Sequence, residues 1–272
     1  MIYRKETNMF NTNHDLHSHS FLSSCSNNPL MTTQAILDYA EQNGYDLVAV
    51  TDHLWDASVP GASGWYQPQD IAHISRSLPL PKSDKVKFLF GCETEYCGGE
   101  KLGLSKENFD LFDIVIIPTD HFWMPNFVNP PELSTTAEFY ALQIERFEEL
   151  SRLDIPWRKV GLAHPHIYVP DGVDDPEFEK VYSELEDRAF EIYKKLAALG
   201  CGMEINCDLF AKDGKLPWLT KIFKVMKEAG CKFFCCSDAH GPESLDLVKK
   251  YGPRAAEQIG LTAEDRWTPV GF

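Results

Sequence analysis

The sequence predicts an α/β fold built as a closed or nearly closed parallel barrel, and three observations carry that prediction. Short apolar runs recur along the chain, segments of helical period separate them, and almost every run ends in histidine, aspartate or glutamate. The runs are "HDLHSH" (14–19), "DLVAV" (46–50), "VKFLFGC" (86–92), "DIVIIP" (113–118), "VGLAH" (160–164), "CGMEIN" (201–206) and "KFFCCSD" (232–238). Continuous apolar strands joined by helices imply a parallel sheet covered on both faces. About seven such units in 272 residues favour a barrel over an open sheet.

Two intervening segments show their helices plainly. In "TTQAILDYAEQNG", Thr33 is the expected cap and Gly44 the expected stop. In "STTAEFYALQIERFEEL", Thr135 and Glu138 have capping-box spacing, and Tyr140, Ile144, Phe147 and Leu150 share a face. No repeat, low-complexity tract or Gly/Ser linker offers a domain boundary, so residues 1–272 are read as one unit with an irregular lead over 1–13.

Composition narrows the function. Hydrophobic residues make up 43% of the chain and aromatics 12%, enough for a sizeable core. A formal charge of −15 opposes phosphate backbones and anionic membranes, so nucleic acid is an unfavoured partner. No apolar run reaches the ~20 residues of a membrane span, and "MIYRKETNMFNTN" lacks a secretory core, so a cytoplasmic protein is expected. The eight cysteines fall in or beside apolar runs and are read mostly as reduced core thiols.

The polar residues fall at the ends of the runs: "HDLHSHS", then "TDH" (51–53), "ETE" (93–95), "TDH" (119–121), "HPH" (164–166), "EIN" (204–206) and "SDAH" (237–240). A parallel barrel gathers the carboxyl ends of its strands on one rim, where distant residues become neighbours. Residues at i and i+2 of a strand point to one side, which pairs His17 with His19, His164 with His166, and Asp238 with His240. Six histidines (17, 19, 53, 121, 164, 240) with Glu93 and Asp238 exceed the four donors or so of one tetrahedral site, so two or three metals are implied.

In order and placement, "DLHSHS", "TDH", "GCE", "DH", "AHP" and "SDAH" resemble the polymerase and histidinol phosphatase (PHP) family from about Asp15 to His240. The resemblance implies a distorted seven-stranded TIM-like barrel holding three divalent ions, zinc, iron or manganese. By the same resemblance His17, His19 and Asp238 hold the first, Glu93 bridges to a second held also by His121 and His164, and His53 and His240 hold the third. Where many members have histidine or aspartate as a further ligand, this chain has Cys25 in "LSSC". A thiolate suits zinc or iron better than manganese. The polar neighbours Ser23, Ser24 and Ser26 favour Cys25 as a ligand over a bystander beside a weak third site.

The implied activity is hydrolysis of a phosphate ester by a metal-bridging hydroxide, on a small phosphorylated metabolite for which histidinol phosphate leads. Glu93, Asp238, His240 and Asp52 are the expected catalytic residues. Two alternatives stand beside this: an amidohydrolase-like enzyme cutting C–N bonds, and an inactive metal-binding protein. The first usually needs a bridging lysine, and no strand run ends in one. His14, His73 and His166 are read as structural, although His166 shares the strand side of His164. Asp15, Asp52 and Asp120 either orient ligand rings or hold turns, Glu95 supports the rim, and Glu204 and Asn206 line the mouth. "GGEKLG" (98–103) is read as a plain turn over a phosphate loop, with Lys101 a weak phosphate contact. "DHFWMPNFVNPPEL" (120–133) is expected as a lid or pocket wall, although Trp123 and Phe127 taken singly read as surface packing.

Overall fold

The computed structural model describes residues 8–26, 28–124, 127–128 and 132–272. In chain order they form β1 (His14–Asp15), α1 (Thr33–Asn43), β2 (Leu47–Val50), β3 (His53–Leu54), α2 (Ile71–Ile74), β4 (Lys87–Thr94), β5 (Ile114–Pro118), α3 (Thr136–Leu150), β6 (Val160–Ala163), α4 (Pro176–Leu199), β7 (Gly202–Asn206), α5 (Cys207–Phe210), α6 (Leu216–Glu228), β8 (Lys232–Cys236) and α7 (Leu247–Ile259). All strand pairs are parallel, in the order β1-β2-β4-β5-β6-β7-β8. β3 continues the register of β2 on β4, since Val50 faces Phe90 and His53 faces Glu93. Seven strand positions with surrounding helices therefore make a nearly closed barrel, as the alternation of runs predicted.

The seam between β1 and β8 explains the distortion. With two residues, β1 is too short for a full ladder. Backbone bonds run from Leu16 N–H to the Cys235 carbonyl at 3.3 Å and from Asp238 N–H to the His17 carbonyl at 2.9 Å. Side chains complete the seam: His14 Nε2 accepts from Cys235 N–H at 2.8 Å, and the Asp15 carboxylate accepts from Ser237 N–H at 3.0 Å and from its hydroxyl. His14 is thus structural, as expected, and Asp15 holds backbone rather than a ligand ring.

Side-chain alternation sorts the core into two layers. Val48, Val50, Val115, Ile117, Leu162, Met203 and Ile205 face the helices, while Leu16, Leu47, Ala49, Leu89, Ile114, Ile116, Ala163, Phe234, Cys236 and Trp267 fill the barrel. Two glycines make room for the large rings inside. A Cβ at Gly161 would lie 2.7 Å from the Phe234 ring, and one at Gly202 would lie 2.4 Å from the Trp267 ring. Trp267 closes the amino-terminal end, donating its backbone N–H to the Phe233 carbonyl at 2.7 Å and its indole N–H to the Gly200 carbonyl at 2.9 Å.

The helix signals hold with one correction. α1 is capped by Thr32, whose hydroxyl accepts from Ala35 N–H, and Thr33 is the first helical residue. Two adjacent threonines differ only in which one the following residues leave extended, and here Thr32 has ψ 158°. Gly44 stops the helix at φ 73°, a left-handed conformation in which glycine carries no Cβ penalty. α3 has its capping box between Thr135 and Glu138, and Tyr140, Ile144, Phe147 and Leu150 are all buried. Full burial of each aliphatic side chain on that face contributes about 1.5–3 kcal/mol. The lead is only partly irregular: Met9 bridges Thr262 and Phe10 packs into the outer core, while residues 1–7 lie outside the described residues.

Candidate metal centre

The carboxyl rim of the barrel is where the apolar interior gives way to imidazoles and carboxylates. Glu93, near the end of β4 and 1% exposed, stands at the middle. Its Oε2 lies 3.4 Å from His17 Nε2, 3.4 Å from His19 Nε2 and 3.0 Å from His53 Nδ1. Its Oε1 faces the other way, 3.7 Å from His121 Nε2 and 3.5 Å from His164 Nε2. Asp238 Oδ1 closes the first side at 3.5 Å from His17 Nε2 and 3.2 Å from His19 Nε2.

Potential ligand atoms converge in groups whose members all lie within 4.8 Å of one another: His17, His19 and Asp238; Glu93, His121 and His164; and His19, Cys25, His53 and His240. A further group, His17 with Glu204 and Cys236, lies deeper. There His17 Nδ1 is already taken by Glu204 Oε2 at 2.7 Å, and Cys236 packs with Phe234 inside the barrel.

Three rings are held from behind by carboxylates. His17 Nδ1 pairs with Glu204 at 2.7 Å, His121 Nδ1 with Glu95 at 2.7 Å, and His164 Nδ1 with Asp120 at 2.9 Å. A carboxylate accepts only, so each Nδ1 carries a proton, and it is Nε2 that each ring turns toward Glu93, with its lone pair free whenever the ring is neutral. His17 Nε2 and His19 Nε2 stand 3.2 Å apart, and the buried Glu93 Oε1 has no hydrogen-bond partner among the described residues. Lone pairs and carboxylate oxygens facing one another this closely need positive charge between them. The donor set therefore fits divalent cations.

Proton affinities reflect the same imbalance. Burial lowers that of His17, but Glu204, Asp238 and Glu93 outweigh it and hold its pKa well above the ordinary range. His164 is raised likewise, with Asp120 overcoming burial. Burial, with His240 and His53 nearby, takes His19 down to about 3 despite the Asp238 bond. Burial raises the Glu93 pKa, yet His53 and His17 more than reverse it and keep the carboxylate ionised.

Backbone strain sits among these groups. His164 has φ 26°, His166 φ 66° and Asp238 φ 51°, all in the left-handed region that costs residues with a Cβ about 1–3 kcal/mol. His164 N–H is held by Glu204 Oε1 at 2.8 Å, and His166 N–H by Gln143 Oε1 at 2.9 Å. This turn breaks the i, i+2 pairing expected of His164 and His166, because β6 ends at Ala163. His166 instead points into the helix layer, where its Nε2 pairs with the Tyr193 hydroxyl at 2.7 Å.

Asp52 does not line the cavity. Its Oδ1 accepts from Ser20 N–H at 2.8 Å and Ser23 Oγ at 2.7 Å, and its Oδ2 from Ser20 Oγ at 2.7 Å. The expectation that it is catalytic gives way to a positioning role, since both oxygens are committed to the loop after His19. Asp120 orients His164 directly, whereas Asp15 serves the seam. His73 lies outside the centre, its Nε2 bonded to the Leu22 carbonyl at 2.8 Å. "GGEKLG" is a turn closed by the Tyr96–Leu102 bridge, and Lys101 Nζ donates to the Gly61 carbonyl at 3.0 Å and sits behind the Phe127 ring without lining the cavity itself.

The cavity over the centre is about 670 Å³. Cys25, His53, Glu93, His121, His164, Asn206, Asp238 and His240 form its polar floor, and Trp65, Trp123, Met124, Phe127, Ile167 and Leu209 its walls. Trp123 and Phe127 are thus cavity wall rather than plain surface packing. Trp123 is 56% exposed, and its ring sits 4.4 Å from that of His121. Pro125, Asn126, Asn129, Pro130 and Pro131 of the expected lid lie outside the described residues. Sequence reasoning did not single out Trp65, Ser63, Asp208 or Lys212. Lys212 is the only lysine or arginine among the described lining residues, and it pairs with Asp208 at 2.7 Å. The i, i+4 spacing of that pair was visible, but its place at the mouth was not.

Comparison with known proteins adds the fold. The chain resembles a histidinol phosphate phosphatase from Lactococcus lactis, solved with zinc, L-histidinol and phosphate, at TM-score 0.55 and 16% identity over 94% of this chain and 98% of that one. It resembles a putative histidinol phosphatase from Listeria monocytogenes at TM-score 0.54 and 13% identity over 85% and 96%. No protein-family model and no curated protein matches it. Both likenesses agree with the barrel described above.

Proposed function

We propose that this protein is a metal-dependent phosphatase of the PHP type, acting on a small phosphate monoester. The observation that carries the reading is Glu93, whose two oxygens face two separate ligand groups from a buried position. Bound divalent cations in such an arrangement acidify water and neutralise the oxygens of a phosphoryl group, which is most of what phosphoryl transfer requires.

In this reading His17, His19 and Asp238 hold one cation, Glu93 with His121 and His164 a second, and His53, His240 and Cys25 a third. Glu204, Glu95 and Asp120 fix the rings, and Asn206 steadies Asp238 with a 3.2 Å bond to Oδ2. Asn206 also faces the cavity, where its amide can meet a substrate oxygen. The negative charge of the chain is offset locally by the bound cations, so an anionic ester is drawn to this mouth. A cavity of this size suits a metabolite. Histidinol phosphate is the first ester to try, because both structural likenesses carry that activity in their names. Neither an extended nucleic acid nor a membrane is invoked, and no helix among the described residues is long and apolar enough to cross one. The C–N hydrolase alternative is not favoured, since Lys212 is the only lysine among the described residues lining the cavity and it pairs with Asp208.

The test is elemental analysis of protein purified without chelator, together with hydrolysis of an aryl phosphate after reloading with zinc, manganese or iron. About three ions per chain are expected, with activity lost in His17→Ala. Protein that binds no ion and hydrolyses no ester under any metal overturns the proposal.

A further inference from the structure

The three ligand groups are not chemically alike. Two contain a carboxylate, Asp238 in one and Glu93 in the other, whereas the third gathers a thiol and the imidazoles of His53 and His240 beside His19, which belongs also to the Asp238 group. His19 and His53 are buried, and Cys25 is partly buried at the cavity edge. The rings are stacked around one another, with centroids 4.6 Å apart for His19 and His53 and 4.4 Å for His19 and His240.

The loop that carries Cys25 is tied at every serine. Ser20 and Ser23 donate to Asp52, Ser24 N–H donates to Gln69 Oε1 at 2.8 Å, and the Ser26 hydroxyl donates to the His240 carbonyl at 2.6 Å. That last bond fastens the thiol's loop to the backbone of another member of the same group. Asp238 lends a second tie, since its carbonyl accepts from His240 Nδ1 at 2.7 Å and so leaves Nε2 as the free donor atom. A cysteine surrounded by small polar residues, on a loop held by four hydrogen bonds and grouped with the imidazoles of His53 and His240, is a built position rather than a packed one.

Resting on the proposal that these groups hold metals, we infer that Cys25, His53 and His240 form a thiolate-bearing site that takes zinc or ferrous iron in preference to manganese or magnesium. The reason is donor softness: one sulfur and two nitrogens match borderline and soft ions, while manganese and magnesium favour oxygen. The other two groups, each with a carboxylate, lack this bias. The centre is therefore asymmetric, with one tightly matched cation beside two that exchange more readily.

Cobalt(II) reports the site without any need for turnover, because a thiolate bound to cobalt gives a near-ultraviolet charge-transfer band that nitrogen and oxygen ligands do not. Metal-stripped protein titrated with cobalt is expected to show that band in the wild type. Cys25→Ser should lose it together with about one bound ion per chain, and Cys25→His should restore the ion without the band. In competition between zinc and manganese, Cys25→Asp should raise the manganese content several-fold over the wild type. A wild type that binds cobalt fully with no charge-transfer band overturns the inference and leaves the phosphatase reading standing. A band that persists in Cys25→Ser assigns the sulfur to another cysteine, Cys236 first, and also overturns it. Failure of the wild type to bind cobalt at all removes the phosphatase reading itself.

Discussion

The two ends of this barrel are made from the same strands and spend their side chains in opposite ways. At the amino end Phe234 and Trp267 fill the interior, their rings 5.3 Å apart, over the space left by Gly161 and Gly202. At the carboxyl end the same inward positions carry Glu93, Glu204 and Asp238, ringed by histidines and including two residues in the left-handed region. One end gains free energy by excluding water from apolar surface, and the other gives it up to crowd lone pairs and charge together. The stabilising core and the costly polar cluster are thus separated by the length of a strand, so the fold can carry the one on the other.

That separation can be broken from either side. Trp267→Ala removes the ring that closes the amino end and should cost about 3–5 kcal/mol in a denaturant titration, while activity per folded molecule is unchanged. Activity falling in step with stability would show that the two ends are coupled. Glu93→Gln makes the opposite cut. It should lower phosphate-ester hydrolysis by about 10²–10³-fold while leaving the circular dichroism spectrum intact. A smaller effect belongs to the groups behind the rings: Asp120→Asn should weaken metal binding by about 10–100-fold in a chelator competition, because His164 loses its carboxylate partner.

The smallest expected effect sharpens the contrast between histidines. Burial lowers the His14 pKa to about 3, with Arg266 adding to the shift, and the ring serves the seam rather than the centre. Its folded pKa lies below the unfolded value, so the unfolded chain takes up this proton first as pH falls. The loss begins near the unfolded pKa of about 6.5 and continues toward the folded one. Between about pH 7 and 5.5 the wild type should lose roughly 1 kcal/mol more stability than His14→Gln. Equal losses in chemical denaturation at the two pH values would remove His14 from the acid response.

The legibility of the site followed from local spacing. His17 and His19 could be paired from sequence because the chain there keeps a strand-like alternation. The same rule failed at His164 and His166, where the chain turns left-handed after Ala163 and sends the second ring into the helix layer. Asp52 looked catalytic because it precedes His53, yet its partners are serines some thirty residues earlier in the chain. Neither Trp65 nor Lys212 carried a signal that placed it at the cavity, since neither sits at a strand end. Their place in the cavity comes from loops that fold back over the rim.

By itself the sequence determined the strands, the caps and the ligand-type residues, because alternation, capping and hydrogen-bonding chemistry act over a few residues. Tertiary structure alone decided that Glu93 faces two groups at once, that Asp52 holds the Cys25 loop through Ser20 and Ser23, and that aromatic side chains wall the mouth. Those relations join segments tens to hundreds of residues apart, and only closure of the barrel brings them within bonding distance.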